Sequence, residues 1–277
     1  MDINEYEEIK NLNYLQYCKY LQEKYGIGIC DYMTENWNPK QKCKRTKEGL
    51  LAHHKYEDHA IMLSNREYAK KNPFEWQKAD NIVYCDYLEH LFLHILIYEN
   101  PVKDSNDGEV CGIGGVINFL IPELNDIYSG FEPKQIWKKN LYNKVKNDKN
   151  VYLVLVKRFK DYEFKVLSVL LDVEYRNIMN DIISKKKEQA IIDYGNNKIK
   201  EDDFEYILKN LIFYKKNIYE NSMDSLDSFD LINKNKKNIL KKMQNIFIKK
   251  LTRSFNSQFG LWSDKENKSI YDEIKKI

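Results

Sequence analysis

The sequence predicts an α+β protein that is mostly helical and contains one small strand–strand–helix unit. Two short runs in the first hundred residues are apolar, β-branched or aromatic and are bounded by turn residues, as strands are. Apolar residues recur at helical spacing near the N-terminus and over most of the chain beyond residue 132. With 277 residues, of which 43% are hydrophobic, the chain is long enough to bury a core.

Composition excludes several classes of protein. The formal net charge is +3, from 45 basic and 42 acidic side chains, so the overall charge does not point to a polyanionic partner. The N-terminus is acidic and polar, unlike a signal peptide, and no run of about 18 apolar residues occurs. We therefore expect a soluble cytoplasmic protein with no membrane partner. The five cysteines contain no C-x-x-C pair, so we expect reduced thiols.

Residues 1–47 are expected to form an N-terminal helical arm followed by a basic loop. Residues 5–25 carry apolar side chains in one stripe and stop at Gly26, which predicts one amphipathic helix. Residues 27–47 contain an Asn-Pro turn signal and end in a cluster without acids. The candidate DNA-binding residues of this loop are Lys40, Lys42, Lys44, Arg45 and Lys47.

Residues 48–100 are expected to form a strand, a long connection, a second strand and a helix. GLLAHHK and NIVYCD have the length and composition of strands, whereas YLEHLFLHILIYENP has helical character and ends near Pro101. The connection offers Ser64 as a helix cap, followed by an Asn-Pro break. The expected order in this unit is therefore β, β, α.

Residues 101–277 are expected to form a mostly helical region that binds DNA or dimerises. The Gly-x-Gly-Gly at 112–115 lacks the spacing and the βαβ context of a Rossmann fingerprint, so a turn or the start of a helix explains it better. Residues 231–253 hold eight basic side chains and no acidic one, which form either a phosphate-contacting surface or an ordinary solvated face. The candidates there are Lys241, Lys242, Lys249, Lys250 and Arg253.

The five histidines all fall within residues 53–94, and this clustering is the most informative feature of the sequence. His90 and His94 are four apart in a helical stretch, so they share one face and can hold one ion together. A strand that delivers His53 beside this helix completes a three-histidine set with an open position. His54 projects to a different side and is free to take a proton from water. Each histidine pair alone is more often structural than functional, and only the joint pattern favours a site.

The order His53-His54, then Asn81, then His90 and His94 resembles the HNH endonucleases, with a spacing like that of the colicin-type DNase domains. The resemblance implies a small ββα-metal (His-Me finger) nuclease core at residues 48–100, embedded in a helical protein. It implies that His53, His90 and His94 bind one divalent metal ion, which is Mg²⁺, Mn²⁺, Ni²⁺ or Zn²⁺. It also implies that His54 is the general base and that Asn81 orients it by a hydrogen bond.

The activity implied by the resemblance is hydrolysis of DNA phosphodiester bonds, in restriction, in phage or mobile-element processing, or in toxin action. A homodimer would allow both strands to be cut. The sequence departs from the family pattern in two ways: 26 residues separate His54 from Asn81, and Cys85 lacks the partners of a structural zinc site. The alternatives are a non-catalytic nucleic-acid-binding protein stabilised by metal and a hydrolase of small phosphoesters.

Residues beside the motif carry weaker expectations. Glu57, three residues after His54, is expected to be a solvated carboxylate, with an extra metal ligand or an imidazole partner as the alternative. His59 has no place in the pattern and is expected on the surface or beside the ligands. The residues expected in the core of the finger are Phe74, Trp76, Tyr84 and the buried thiol Cys85.

Overall fold

The computed structural model describes residues 1–102, 110–208, 227–255 and 268–277. These residues form two compact units, one made of Met1–Tyr162 together with Ile248–Ile277 and the other of Glu163–Phe247. The described part is mostly helical with one small antiparallel sheet, which confirms the α+β class. The division into residues 1–47, 48–100 and 101–277 stays a prediction.

Two strands and a series of helices make up the described part. The strands are β1 (Leu51–His54) and β2 (Ile82–Cys85). The α-helices are Ile3–Ile9, Tyr14–Tyr25, Arg66–Ala69, Tyr87–Glu99, Ile113–Gly115, Ile121–Tyr128, Ile136–Val145, Lys149–Gly195, Asp227–Leu251 and Lys268–Lys276. Short 3-10 turns cover Gln41–Cys43, Thr46–Glu48, Phe74–Gln77 and Ala79–Asn81, and Val116–Leu120 is a π-helical turn.

β1 and β2 pair antiparallel and lead into the helix Tyr87–Glu99, the site helix. In the register, His53 lies opposite Val83 and His54 lies opposite Ile82. All four residues of β2 are buried, as expected for a short strand without polar side chains on either face. The predicted strand, strand and helix are confirmed in type and in order.

The site helix is buried along nearly its whole length. Asp86 caps its N-terminus, since its carboxylate accepts from the backbone nitrogen of Glu89 and the Glu89 carboxylate accepts from the backbone nitrogen of Asp86. Apolar residues occur on all sides of the helix, and Phe92 packs against Tyr6 and Tyr17 with ring centroids 5.6 and 4.7 Å away. This cap and this packing fix the helix, and with it the direction of its two histidines.

The single helix predicted over residues 5–25 is instead two helices, Ile3–Ile9 and Tyr14–Tyr25. Asn13 begins the second helix: its side chain accepts from the backbone nitrogen of Gln16, and the Gln16 side chain accepts from the backbone nitrogen of Asn13. This capping box stabilises a new helix start, so the first helix ends before it. The break brings the first turn of the second helix against β1.

The expectation of reduced thiols is wrong for two of the five cysteines. Cys30 and Cys43 form a disulfide, whereas Cys18, Cys85 and Cys111 are free and buried. The pairing could not be predicted from spacing, because a separation of 13 residues becomes a Cα–Cα distance of 5.6 Å only when the basic loop folds back on itself. The cysteines therefore no longer support a cytoplasmic location, which stays a prediction.

The long connection between the strands folds only partly as predicted. Its one short helix, Arg66–Ala69, is capped by the side chain of Asn65 and not by Ser64. Most of the remainder consists of turns, and the 3-10 turns Phe74–Gln77 and Ala79–Asn81 lead directly into β2. The connection therefore delivers polar side chains next to the end of β1.

The region beyond Pro101 is helical over most of its described residues, as predicted. Its longest element is the helix Lys149–Gly195, of 47 residues. Residues 209–226 of this expected helical region lie outside the described residues. Within the described ranges, no helix combines the length and the apolar character that crossing a bilayer requires.

Candidate metal centre

Three histidines meet where β1 faces the site helix. The ring centroids of His53, His90 and His94 are 5.1, 5.2 and 4.8 Å apart. His90 and His94 are one helical turn apart, and their Nε2 atoms approach to 3.1 Å. His53 comes from β1 and is fully buried. The structure thus brings together the three residues that the resemblance implies as metal ligands.

Glu57 joins these histidines, which corrects the expectation of a solvated carboxylate. Its Oε2 lies 3.4 Å from Nδ1 of His53 and 3.4 Å from Nε2 of His94, and its side chain is only 14% exposed. The chain turns directly after β1, where the backbone nitrogen of Glu57 donates to the carbonyl of His54 at 3.0 Å. This turn returns the carboxylate to the histidines, and strand periodicity alone could not predict it.

The four residues could hold a metal ion. Their ligand atoms, one from each residue, lie within 4.8 Å of one another. Ligands at about 2.1 Å from a shared ion at tetrahedral angles are about 3.4 Å apart. The contacts of His94 with His90 at 3.1 Å and with Glu57 at 3.4 Å are close to that spacing. Nδ1 of His53 is buried without a hydrogen-bond partner among the described residues, as a ligand atom is before it binds an ion.

Burial keeps the imidazoles of the cluster neutral. Burial lowers the pKa of His53 to about 3, and the negative charge of Glu57 opposes this shift. Burial also lowers the pKa of His90 and of His94. For Glu57, burial raises the pKa, but the surrounding imidazoles of His53, His54 and His94 lower it by more, so the pKa stays below its ordinary range. Neutral imidazoles and an ionised carboxylate are the forms that bind metal ions.

Tyr14, which the sequence analysis did not identify, holds His53 from the side away from the cluster. Its hydroxyl oxygen lies 2.9 Å from Nε2 of His53 and donates to the carbonyl of Lys55 at 3.1 Å. Because the hydroxyl proton points at a carbonyl, Nε2 of His53 carries a proton and donates to the hydroxyl oxygen. His53 therefore presents the lone pair of Nδ1 to the cluster. The only sequence signal for this role is the capping box that starts the helix at Tyr14.

His54, the implied general base, lies beside the cluster and is fully buried. Its Nδ1 is 3.6 Å from Oε1 of Glu57, and its Nε2 is 3.0 Å from Oε1 of Gln77. His53 and His54 thus approach the same carboxylate, each at a different oxygen. Neighbouring side chains of a strand ordinarily point to opposite faces and do not share a partner. Here the turn after β1 places the Glu57 carboxylate between the two imidazoles.

Asn81 takes a different role from the one that the resemblance implies. Its side-chain nitrogen donates to the backbone carbonyl of Glu75 at 2.9 Å. Its backbone carbonyl accepts from the backbone nitrogen of Lys55 at 2.9 Å. Asn81 ends a 3-10 turn, so its amide points back along that turn. The contact with His54 that was expected of Asn81 comes from Gln77 instead.

Gly115 is a second residue that the sequence analysis did not connect with the site. A Cβ atom at this position would lie 2.6 Å from Cε1 and 2.7 Å from Nδ1 of His94, and real Cβ contacts stay beyond 3.0 Å. Gly112 has a φ of +88°, and a Cβ atom at this position would lie 2.6 Å from the backbone carbonyl oxygen of His94. Gly112 and Gly115 therefore allow close packing against the site helix at His94, and the density of glycines is the sequence signal for this packing.

The aromatic residues near the cluster are partly exposed. His59 is half-buried, and its ring lies 6.0 Å from that of Trp76, which stacks on Tyr56 at 4.9 Å with an angle of 7° between the planes. Trp76 is therefore part of a half-buried stack. The other predicted core residues are as expected. Tyr84 and Cys85 are fully buried, and Phe74 packs against a buried apolar cluster that includes Tyr84.

The candidate DNA-contacting residues differ in exposure. Arg45 is half-buried, because its guanidinium donates to Glu48 and to the carbonyl of Tyr25 and lies 4.8 Å from the ring centroid of Tyr84. Lys40 is also half-buried. The exposed candidates are Lys42, Lys44, Lys47, Lys241, Lys242, Lys249, Lys250 and Arg253. Exposure is what a phosphate contact requires, and DNA binding itself stays a prediction.

Comparisons of this chain with models of known protein families, with curated proteins and with solved structures give no match. The functional interpretation therefore depends on the motif residues and on the geometry of the cluster that they form.

Proposed function

We propose that the protein is a metal-dependent HNH-type endonuclease that hydrolyses phosphodiester bonds in DNA. The observation that carries this proposal is the position of His54, whose Nδ1 lies at the edge of a cluster that could bind a metal ion without it. A site that only stabilises the fold has no use for an additional imidazole in this place. The spacing of the histidines supports the same reaction class.

His54 supplies the general base. Its Nδ1 is buried and has no hydrogen-bond partner among the described residues, so a lone pair is available. His54 takes a proton from a water molecule, and the resulting hydroxide attacks phosphorus as the bond from phosphorus to the 3′-oxygen breaks. The leaving oxygen takes a proton from solvent. A divalent ion, when bound by the cluster, supplies positive charge against the phosphate and the leaving oxygen.

The surrounding residues orient the reacting groups. Tyr14 holds His53, and the buried site helix holds the other two histidines. His90 and Glu57 are the partly exposed members of the cluster, so the phosphate approaches from their side. Three imidazole nitrogens and one carboxylate oxygen favour a transition metal such as Zn²⁺ or Ni²⁺ over Mg²⁺.

A plasmid-nicking assay tests this proposal. Purified protein is incubated with supercoiled plasmid and Zn²⁺, Ni²⁺, Mn²⁺ or Mg²⁺, in parallel with His54→Ala and the control His59→Ala. We expect metal-dependent nicking by the wild type and by His59→Ala, and a loss of about 100-fold or more in His54→Ala with metal binding retained. Equal cleavage by all three proteins would contradict the proposal, as would no cleavage of plasmids of varied sequence.

A structural metal site in a nucleic-acid-binding protein is the second candidate, and one observation favours it. Glu57 adds a fourth protein ligand, and four protein ligands are typical of closed structural sites. This function predicts that removal of the metal unfolds the protein and that His54→Ala leaves DNA affinity unchanged. The nicking assay separates the two candidates, because only the nuclease loses an activity in His54→Ala.

A further inference from the structure

We infer that Gln77 is a positioning residue, which holds His54 with its proton on Nε2 and directs the lone pair of Nδ1 to the Glu57 side of the cluster. The inference depends on the proposed function only where it concerns catalysis. The motif assigns the orienting role to Asn81, whose side chain is bound elsewhere in this protein.

Hydrogen bonds fix which atom of the Gln77 amide faces His54. The side chain of Gln77 is completely buried, and its nitrogen donates to the carbonyl of Leu63 at 3.2 Å. Its Oε1 therefore points to His54 and lies 3.0 Å from Nε2. A carbonyl oxygen can only accept a hydrogen bond, so Nε2 of His54 carries the proton.

The opposite tautomer of His54 is disfavoured by the same contacts. With the proton on Nδ1, two lone pairs would face each other across the 3.0 Å between Nε2 of His54 and Oε1 of Gln77. Both groups are buried, so neither could bond to water instead, and an unsatisfied buried polar atom costs about 1–3 kcal/mol. Nδ1 of His54 lies 3.6 Å from Oε1 of Glu57, beyond hydrogen-bond distance, whereas the contact at Nε2 is 3.0 Å. The Nε2–H tautomer therefore dominates and leaves Nδ1 free to accept a proton.

The backbone around Gln77 holds the imidazole in place as well. The carbonyl of Gln77 accepts from the backbone nitrogen of Tyr32 at 2.7 Å, and the ring of Tyr32 lies edge-on to His54 at 4.6 Å. Gln77 and Tyr32, which both contact the ring of His54, are thus joined by a backbone hydrogen bond. Tyr14 holds His53 in a similar way. Its hydroxyl is hydrogen-bonded to Nε2 of His53, which leaves Nδ1 of His53 facing Glu57.

Nuclear magnetic resonance of ¹⁵N-histidine-labelled protein tests this inference without an activity measurement. Nitrogen–proton correlation spectra report which ring nitrogen carries the proton, in the metal-free and in the Zn²⁺-loaded protein, and His54→Ala identifies the His54 signals. We expect His54 to carry its proton on Nε2. Gln77→Met, which has a similar length and no acceptor oxygen, should lose this preference, whereas Gln77→Glu should keep it. Gln189→Met, at an exposed position, is the matched control and should match the wild type.

Two results would overturn the inference: a wild-type His54 with its proton on Nδ1, or a folded Gln77→Met protein with an unchanged tautomer. If Gln77→Met fails to fold, the wild-type spectrum and Gln77→Glu still decide. In catalysis, Gln77→Met should lower kcat by about 10- to 100-fold with Zn²⁺ affinity unchanged, and Gln77→Glu should restore part of it. Cleavage by a wild type with the Nδ1–H tautomer would refute this inference alone, whereas the expected tautomer without any cleavage would refute the nuclease.

Discussion

The two adjacent histidines of β1 are held by different residues but in the same manner. Tyr14 lies against Nε2 of His53 and Gln77 against Nε2 of His54, so both imidazoles offer Nδ1 to Glu57. In the proposed function, His53 is a metal ligand and the neighbouring His54 is the general base of the same site. Imidazoles that are fixed through their outer nitrogen bind metal ions more tightly, because their tautomer and orientation are set before binding.

Replacement of the Tyr14 hydroxyl is therefore expected to weaken metal binding. In Tyr14→Phe, the buried Nε2–H of His53 loses its acceptor, and we expect the Zn²⁺ affinity to fall by about 10- to 100-fold. Titration calorimetry measures the change. Tyr20→Phe is the matched control on the same helix, since its hydroxyl donates to Glu5 at 2.9 Å and should not affect the affinity. Equal affinities of Tyr14→Phe and the wild type would show that the hydroxyl does not position His53.

The sequence predicted some site residues and not others for a physical reason. His90 and His94 share a face because helical spacing alone puts them there, and His53 follows from its place in β1. Glu57 and Gln77 reach the site through turns, whose direction is not encoded in any periodicity of apolar residues. The role of each turn residue therefore became clear only from the folded chain.

At the scale of secondary-structure elements, the two strands and the site helix were easier to predict than their surroundings. Both strands and the site helix have simple apolar patterns and clear boundaries, and all three form as predicted. The N-terminal helix breaks in two because the capping box at Asn13 outweighs the continuous apolar stripe. That signal is present in the sequence, although the periodicity over residues 5–25 obscures it.

The glycine-rich segment packs so closely on the site helix that one added methyl group at Gly115 should disturb the metal centre. Gly115→Ala should displace the ring of His94 and weaken Zn²⁺ binding by about tenfold or more, because the added Cβ would overlap that ring. Gly114→Ala is the matched control, since the nearest atom to its new Cβ would be 3.9 Å away, and it should bind Zn²⁺ like the wild type. Calorimetric titration of both variants makes the comparison. The same affinity in both would refute the close contact with His94.

At the scale of the whole molecule, the disulfide closes the basic loop on itself, and the loop packs on the core beside the sheet. Cys43 belongs to a buried cluster that also contains Met33, Leu50, Ile82 and Tyr84. Sequence alone could not indicate this packing, since it brings residues of the basic loop against residues of β2 that are distant along the chain. The loop contributes to the stability of the first unit through this cluster.

Removal of the disulfide should lower the stability of the protein measurably. The double variant Cys30→Ser/Cys43→Ser is expected to lose about 3 kcal/mol of unfolding free energy, the usual effect of closing a loop of about 15 residues. Equilibrium unfolding in urea measures this difference. A reductant should lower the stability of the wild type and leave that of the double variant unchanged. Equal stability of the two proteins under oxidising conditions would show that the disulfide does not contribute.

The metal centre is the claim on which the proposed chemistry depends, and Zn²⁺ titration of the metal-free protein combined with X-ray absorption spectroscopy tests it most directly. We predict one ion per chain, bound by three imidazole nitrogens and one carboxylate oxygen from His53, Glu57, His90 and His94. The double variant His90→Ala/His94→Ala should lose this binding, and His59→Ala should keep it. No stoichiometric binding by the wild type, or undiminished binding by the double variant, would contradict the metal centre.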